Sequence, residues 1–452
     1  MRIAVVDGVG SGRWLTRELT GRGAECVHVK SRPVLPPHLE ASFRPGEYAL
    51  DLGYDHNIGR LATRLRNLGV VRIAAGHACG VPTAQILAGL TGLPGMTEPT
   101  GPDEQGAVVG EELQPAGLGA GLDAASGLPW DRRTMARRLY EAGLDAPLGT
   151  EAASPEAGAA WFADAGLGSV GAVVRPAGGA GPEQVYFCRS AAEVHAAVAA
   201  VLGTPSAGAQ DPTTQAPAVF GGVRRTAIVQ ELLTGPEFSV DTVAAEGVRL
   251  VAETWRHTVH STPSVGPLAD FDEPADPRAA EIAALHGYVL RALDALGIRH
   301  GAAHSRVVLS PRGPVLVDPG PGLADGVLPW VAEKFLGYSH TGLFAESILA
   351  PRDLARHAGR LPEPWPEPMR RVVLVNRRPG IVRPSAQWTG ALEALPTAIA
   401  VAPVAGAGLE LPVTRDAATS PGFVYLSAAD PAWVERDYLT IREWEQQGPY
   451  TA

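Results

Sequence analysis

Lysine is almost absent from this 452-residue chain: Lys30 and Lys334 stand against 36 arginines. That skew removes lysine from nearly every candidate site and leaves positive charge to the planar arginine fork. An excess of basic charge is also missing. The formal net charge is −10 and the arginines form no run, which excludes the basic face a nucleic-acid binder needs. Cysteine is scarce, and Cys26, Cys79 and Cys188 are too far apart for a metal knuckle or a CxxC pair; they read as buried small hydrophobes. No stretch approaches the roughly 18 apolar residues of a membrane span. The start, MRIAVVDGVG, lacks the basic, apolar and cleavage regions of a signal peptide. The expected setting is cytoplasmic, without membrane or nucleic-acid partners.

What is present is an apolar fraction of 45%, in segments punctuated by Gly and Pro, which points to an α/β protein with two or three domains. RIAVVDGVGSGRWLTRELTGRGAECVHV reads as strand, Gly-rich turn, helix and strand. The turn does not follow GxGxxG, and no acidic residue closes a second strand at the right distance, so the dinucleotide reading is weak. VVRIAAG and VPTAQILAGLTGLPG continue the pattern, and residues 99–128 read as an irregular loop. A helix is predicted at DRRTMARRLYEAGLDAP, capped by Asp131 and ended by Gly143. GAVVRPAGGAGPEQVYFC gives strand, Gly-rich loop and strand, and Ser190 with Glu193 has capping-box spacing. Residues 203–222 form a second low-complexity loop, and a long helix is predicted near 277–296. PEPWPEP, residues 362–368, is a stiff connector to a short third segment.

Nearly the whole chain resembles the ATP-grasp superfamily, in particular carboxylate–amine ligases of bacterial specialised metabolism. The most specific stretch is QELLTGPEFSVDTV. The resemblance implies an ATP-grasp fold, α/β overall and α+β in the central part. It implies an N-terminal Rossmann-like pre-ATP-grasp domain over 1–125, the nucleotide-binding domain over 126–355 and a small C-terminal lobe over 356–452. It implies ATP as cofactor, small-molecule carboxylate and amine substrates, amide formation through an acyl phosphate, and a homodimer. Backbone groups of Gln230, Glu231, Leu232 and Leu233 would hold adenine, and Glu237 the ribose hydroxyls. Arg132 and Arg175 stand where the family has phosphate-binding lysines, and serve either as phosphate contacts or as ordinary ion-pair partners. Gly178, Gly179 and Gly181 would cradle phosphates with backbone amides, although Pro182 removes one donor.

The metal site departs furthest from the family. In HSRVVLSPRGPVLVDPGPG, Ser310-Pro311-Arg312-Gly313 is a turn signal. Pairing Ser310 with Pro314 puts Arg306 directly opposite Asp318, where the family holds two acids around Mg²⁺. The expected Asn and Arg positions are Gly320 and Gly322. Asp318 is therefore expected to pair with Arg306 rather than to hold a metal, because a guanidinium repels the cation and competes for the carboxylate. Ala78 replaces an acid facing the amine in relatives, leaving His77 as a polar candidate or a structural residue. Trp255 and His257 would line the acceptor side, and Arg256 would clamp a carboxylate. The leading reading is an atypical ligase using Arg306, Asp318 and Arg256. The alternatives are a catalytically silent homologue supporting a related ligase subunit, and a cleft reused for chemistry without ATP.

Overall fold

The computed structural model describes residues 1–96, 131–177, 185–203, 226–262, 266–324, 326–360, 362–415 and 419–452. The expectations for Gly178, Gly179, Gly181 and Pro182, and for most of both low-complexity loops, lie outside these residues. Among the described residues, no helix is long and apolar enough to cross a membrane.

Apolar strands joined by helical connections build the first unit. Strands β1 (Arg2–Val6), β2 (Glu25–Val29), β3 (Leu50–Asp51) and β4 (Val70–Ala75) form a parallel sheet in the order β3-β2-β1-β4. The glycines of the first turn serve packing. A Cβ on Gly12 would lie 2.6 Å from the backbone of Gly76, and one on the facing Gly76 would lie 2.7 Å from the Asp7 carbonyl at the start of the turn. Close backbone approach, rather than a phosphate, explains this Gly-rich turn.

A second, antiparallel sheet contains β5 (Gly149–Ala152), β6 (Ala172–Pro176), β7 (Tyr186–Cys188) and β8 (Ala227–Glu231) in the order β5-β8-β6-β7. The predicted helix before it spans Arg132–Glu141. Asp131 accepts from the N–H groups of Arg133 (3.1 Å) and Thr134 (3.3 Å), and Gly143 takes the left-handed conformation at φ +68°. Capping and glycine termination define both ends, as the residue types require.

The third sheet has eight strands. Its strands are β9 (Glu237–Ala245), β10 (Val248–Thr262), β11 (Gly266–Pro274), β12 (Gly301–Ser310), β13 (Gly313–Asp318), β14 (Met369–Val373), β16 (Ala398–Pro403) and β18 (Gly422–Ser427). The order is β13-β12-β9-β10-β11-β14-β18-β16; β15 (Gly380–Ile381) and β17 (Glu410–Leu411) make a small separate ribbon. The last three members of the order come from the segment after the Pro-rich connector, so that segment extends the central sheet. One face packs Phe238, Val240, Val307 and Leu316 against the helix Ala280–Ala295. At one end of the other face, Val243, Ala245 and Ala302 share a core with Ile3, Leu15 and Leu343, which joins the sheet to the N-terminal unit through the helix His340–Leu349.

The hairpin β12–β13 reaches the expected pairing by a different route. Ser310 pairs with Gly313 rather than Pro314, so the turn is one residue tighter. A bulge then leaves Val317 unpaired and brings Arg306 opposite Asp318 after all. The two one-residue offsets cancel.

The third segment is locked to the sheet by charge as well as by strand pairing. Asp270, only 1% exposed, accepts from Tyr438 Oη (2.7 Å) and from Arg442 Nε and Nη2 (3.0 and 2.7 Å) on the helix Pro431–Trp444. Asp270→Ala is expected to cost about 1–3 kcal/mol, since it removes the buried acceptor of Tyr438 and Arg442 while Glu445 still pairs the guanidinium at 2.7 Å. In urea denaturation, the signals of Trp388 and of the central sheet should shift together.

Candidate functional site

Strand alternation and register gather polar residues on one face of the eight-stranded sheet. Glu237, Ser239 and Asp241 point from β9; His304 and Arg306 lie beside them on β12; Glu253, Trp255 and His257 lie beside them on β10. Asp272 on β11 and Arg371 on β14 extend the row, and Asp318 closes it on β13. The same alternation turns Arg256 away. It pairs with Phe238, whose side chain belongs to the opposite, helix-covered face, and it is exposed. Arg256 is thus removed from the set containing Trp255 and His257. The buried Arg371 stands there instead, with its guanidinium 5.6 Å from the Trp255 ring.

Buried charges on this face are met by specific partners. Asp272 accepts from Arg371 Nη2 at 2.7 Å and lies 2.5 Å from His257 Nδ1. Burial alone would raise its pKa, but Arg371 and His257 hold the carboxyl well below the usual range. Asp241 faces His304 Nδ1 at 2.6 Å, and this pair with nearby His340 likewise overcomes burial and lowers its pKa. Glu253 is the counter-case. Burial, then the negative Asp241, push its pKa up to about 7, although it accepts from Trp255 Nε1 and the His340 N–H, each at 3.2 Å. Two buried polar atoms on this face, Ser239 Oγ and His257 Nε2, have no hydrogen-bond partner among the described residues. Such orphaned groups are uncommon in native interiors.

At the meeting of the second and third sheets, three guanidiniums converge. Arg175, buried on β6, donates to Gln230 Oε1 from Nε (3.1 Å) and Nη2 (2.7 Å), and Nη2 lies 3.4 Å from the Val317 carbonyl. Burial first, then the proximity of Arg132, pull its pKa down to about 9. Arg132 Nη2 lies 3.8 Å from Asp318 Oδ2. Arg306 donates through Nε (2.8 Å) and Nη2 to the same carboxylate oxygen of Glu237. The expected Arg306–Asp318 ion pair is therefore corrected: the two oppose each other in the ladder, yet Glu237 takes the guanidinium and Asp318 turns to Arg132 and the Gly320 N–H (2.9 Å). Cross-strand proximity alone did not say which neighbouring acid wins.

The hinge residues are also partly committed. The Glu231 N–H bonds the Leu148 carbonyl and the Leu232 N–H bonds the Gly171 carbonyl, so these two donors are already engaged. The Glu231 carboxylate holds Arg312 from the hairpin turn and the Leu148 N–H. Gln230 contributes its side chain to Arg175, and Leu233 lies in the connection between β8 and β9. His77 sits at the end of β4, where Nδ1 contacts Cys79 Sγ at 2.9 Å and accepts from the Cys79 N–H. Cys79 Sγ in turn reaches Asp7 Oδ2 at 3.3 Å. Cys26 and Cys188 are the buried small hydrophobes expected; Cys79 is half-buried within this polar contact.

Magnesium does not fit this donor set. No group of three or more His, Cys, Asp or Glu side chains suited to a metal occurs among the described residues. At Gly320, the expected Asn position, φ is +43° and an added Cβ would lie 1.9 Å from the His304 carbonyl, so no side chain can enter. Gly322 has space for a side chain, but its φ of +105° is a conformation that L residues rarely adopt. Among the described residues, the carboxylates beside these guanidiniums are Asp318 and Glu237, each already facing one of them, whereas Mg²⁺ requires a near-octahedral set of oxygens.

The comparisons accord with this architecture. The L-amino acid ligase from Bacillus licheniformis matches with a TM-score of 0.71 at 16% identity, covering 98% of this chain and 97% of that one. N5-carboxyaminoimidazole synthetase from Staphylococcus aureus complexed with ADP matches at 0.63 and 10% identity, covering 98% of each chain. Carboxyaminoimidazole ribonucleotide synthase from Aspergillus clavatus complexed with ATP matches at 0.62 and 12% identity, covering 99% of each chain. This chain has the ATP-grasp fold. No family model matches it. In sequence it is 27% identical to Dapdiamide A synthase of Enterobacter agglomerans over 188 residues, which is 42% of this chain and 41% of that protein's length.

Sequence reasoning named Trp255 and His257 but missed Arg371, Asp272, Glu253 and Asp241. Period-two alternation from Trp255 back to Glu253 was an available signal, and it also argued against Arg256. Arg371 left none, because its strand joins the sheet from a segment about 100 residues away. The raised Glu253 pKa has a stability consequence. Its folded pKa of about 7 exceeds the ordinary value of 4.5, so its contribution is full below pH 4.5 and lost as pH rises through 7. Glu253→Gln should gain on wild type by roughly 2–4 kcal/mol between pH 4.5 and 8 in urea denaturation. Taking the difference cancels the opposing titration of buried His286, lowered to about 4.

Proposed function

We propose that this protein is an ATP-dependent ligase that joins a carboxylate to an amine in a specialised biosynthetic pathway. The observation that carries the reading is an ATP-grasp fold over 98% of the chain, whose polar sheet face meets a guanidinium cluster. It is supported by the sequence match to Dapdiamide A synthase and the fold match to the L-amino acid ligase.

The nucleotide lies between the sheet of β5 to β8 and the polar face, with adenine near the hinge from Gln230 to Leu233 and the ribose near Glu237. Phosphates meet Arg132, Arg175 and Arg306. The substrate carboxylate attacks the γ-phosphorus, forming an acyl phosphate and releasing ADP. The amine then attacks the acyl carbon, forming the amide and releasing inorganic phosphate. Positioning and charge neutralisation carry most of such a reaction. Guanidiniums held by Gln230 and Glu237 provide both, while Trp255 and His257, backed by Arg371 and Asp272, face the acceptor.

The expected products are therefore amide, ADP and inorganic phosphate in equal amounts, without AMP. Coupled ADP release across a matrix of amino acids and small acids, with mass detection of the amide, measures this. AMP with pyrophosphate would refute the acyl phosphate. No nucleotide turnover with any pair would leave a silent binding member of the fold as the reading.

A further inference from the structure

We propose that Arg132, Arg175 and Arg306 around Asp318 form a polyphosphate site that binds its anion without a divalent cation, and that Glu237 holds Arg306 until the anion takes it. This deepens the nucleotide reading of the same cleft and rests on it.

Three separate elements deliver the cations: the start of a helix, β6 and β12. Among the described residues, three guanidiniums face two carboxylates, Asp318 and Glu237, an excess of one positive charge. The bonds of Arg175 run to neutral acceptors, Gln230 Oε1 and the Val317 carbonyl. A buried guanidinium satisfied in hydrogen bonds but not in charge favours an incoming anion.

Arg306 is the movable member. Its side chain is 52% exposed, and both of its donors converge on a single oxygen of Glu237 instead of forking across two. An exposed pair of that kind is held weakly. A phosphate chain offers several charged acceptors at once, which suits the planar fork better. Magnesium gains nothing here, because guanidiniums already neutralise the phosphate and the Gly320 position is closed to a ligand.

The test uses calorimetric titration of the full chain with inorganic tripolyphosphate, in EDTA and in millimolar Mg²⁺. Tripolyphosphate has no ribose, so effects at Glu237 report on Arg306 alone. Binding is expected in EDTA, unchanged or weaker with Mg²⁺, since the metal competes for the anion. Arg306→Ala should weaken it by about tenfold or more. Glu237→Gln should strengthen it severalfold by freeing Arg306 and removing a negative charge. Both positions are partly exposed, and unchanged thermal unfolding would confirm that the variants fold. Binding that requires Mg²⁺, or a Glu237→Gln variant that binds more weakly, overturns the proposal; so does an unaltered Arg306→Ala. Tripolyphosphate binding in EDTA without amide formation from any substrate pair would sustain this proposal while the ligase reading falls. Mg²⁺-dependent amide formation with no binding in EDTA would do the reverse.

Discussion

The register between β9 and β12 is the constraint on which the rest depends. Setting Ser239 opposite Arg306 and Asp241 opposite His304 assigns every side chain of both strands to a face at once, because the strand repeat is two. Phe238, Val240 and Val307 are then committed to the helix-covered core, and the ionisable residues to the other side. A slip of one residue would bury Glu237 and Arg306 under the helix Ala280–Ala295 and expose the core. Hydrophobic burial on the helix-covered side thus holds the charged residues in position.

The polar face is organised as pairs that share strands with their neighbours. Asp272 binds Arg371 and His257, and Asp241 binds His304. Removing one partner from such pairs leaves an uncompensated buried charge, while the intact pairs roughly offset their own desolvation. Their contribution is therefore geometric: they fix where Trp255 and Arg371 stand. Glu253, with backbone and indole donors but a negative neighbour, is the member whose charge the surroundings do not support.

Where the phosphates would lie, the logic differs. There the chain sets three guanidiniums beside two acids, Asp318 and Glu237, with glycine at Gly320 and Gly322. Planar guanidinium donors set what can be bound as much as how tightly, since a fork recognises oxygens in pairs. Lysine is scarce across the chain, and the tight backbone at Gly320 admits no side chain there.

Much was legible from residues alone. A cap and a glycine stop located the helix starting at Arg132. Turn chemistry located the hairpin, and the stretch around Glu237 pointed to the fold. These features are local, set by backbone sterics and short-range hydrogen bonds. Tertiary structure alone decided the rest. It gave Arg306 to Glu237 instead of Asp318, brought Arg371 beside Trp255, and merged the last segment into the central sheet. Each of these outcomes depends on which of several chemically adequate partners, distant along the chain, arrives within a few ångströms, and that choice belongs to packing rather than to any residue's own preference.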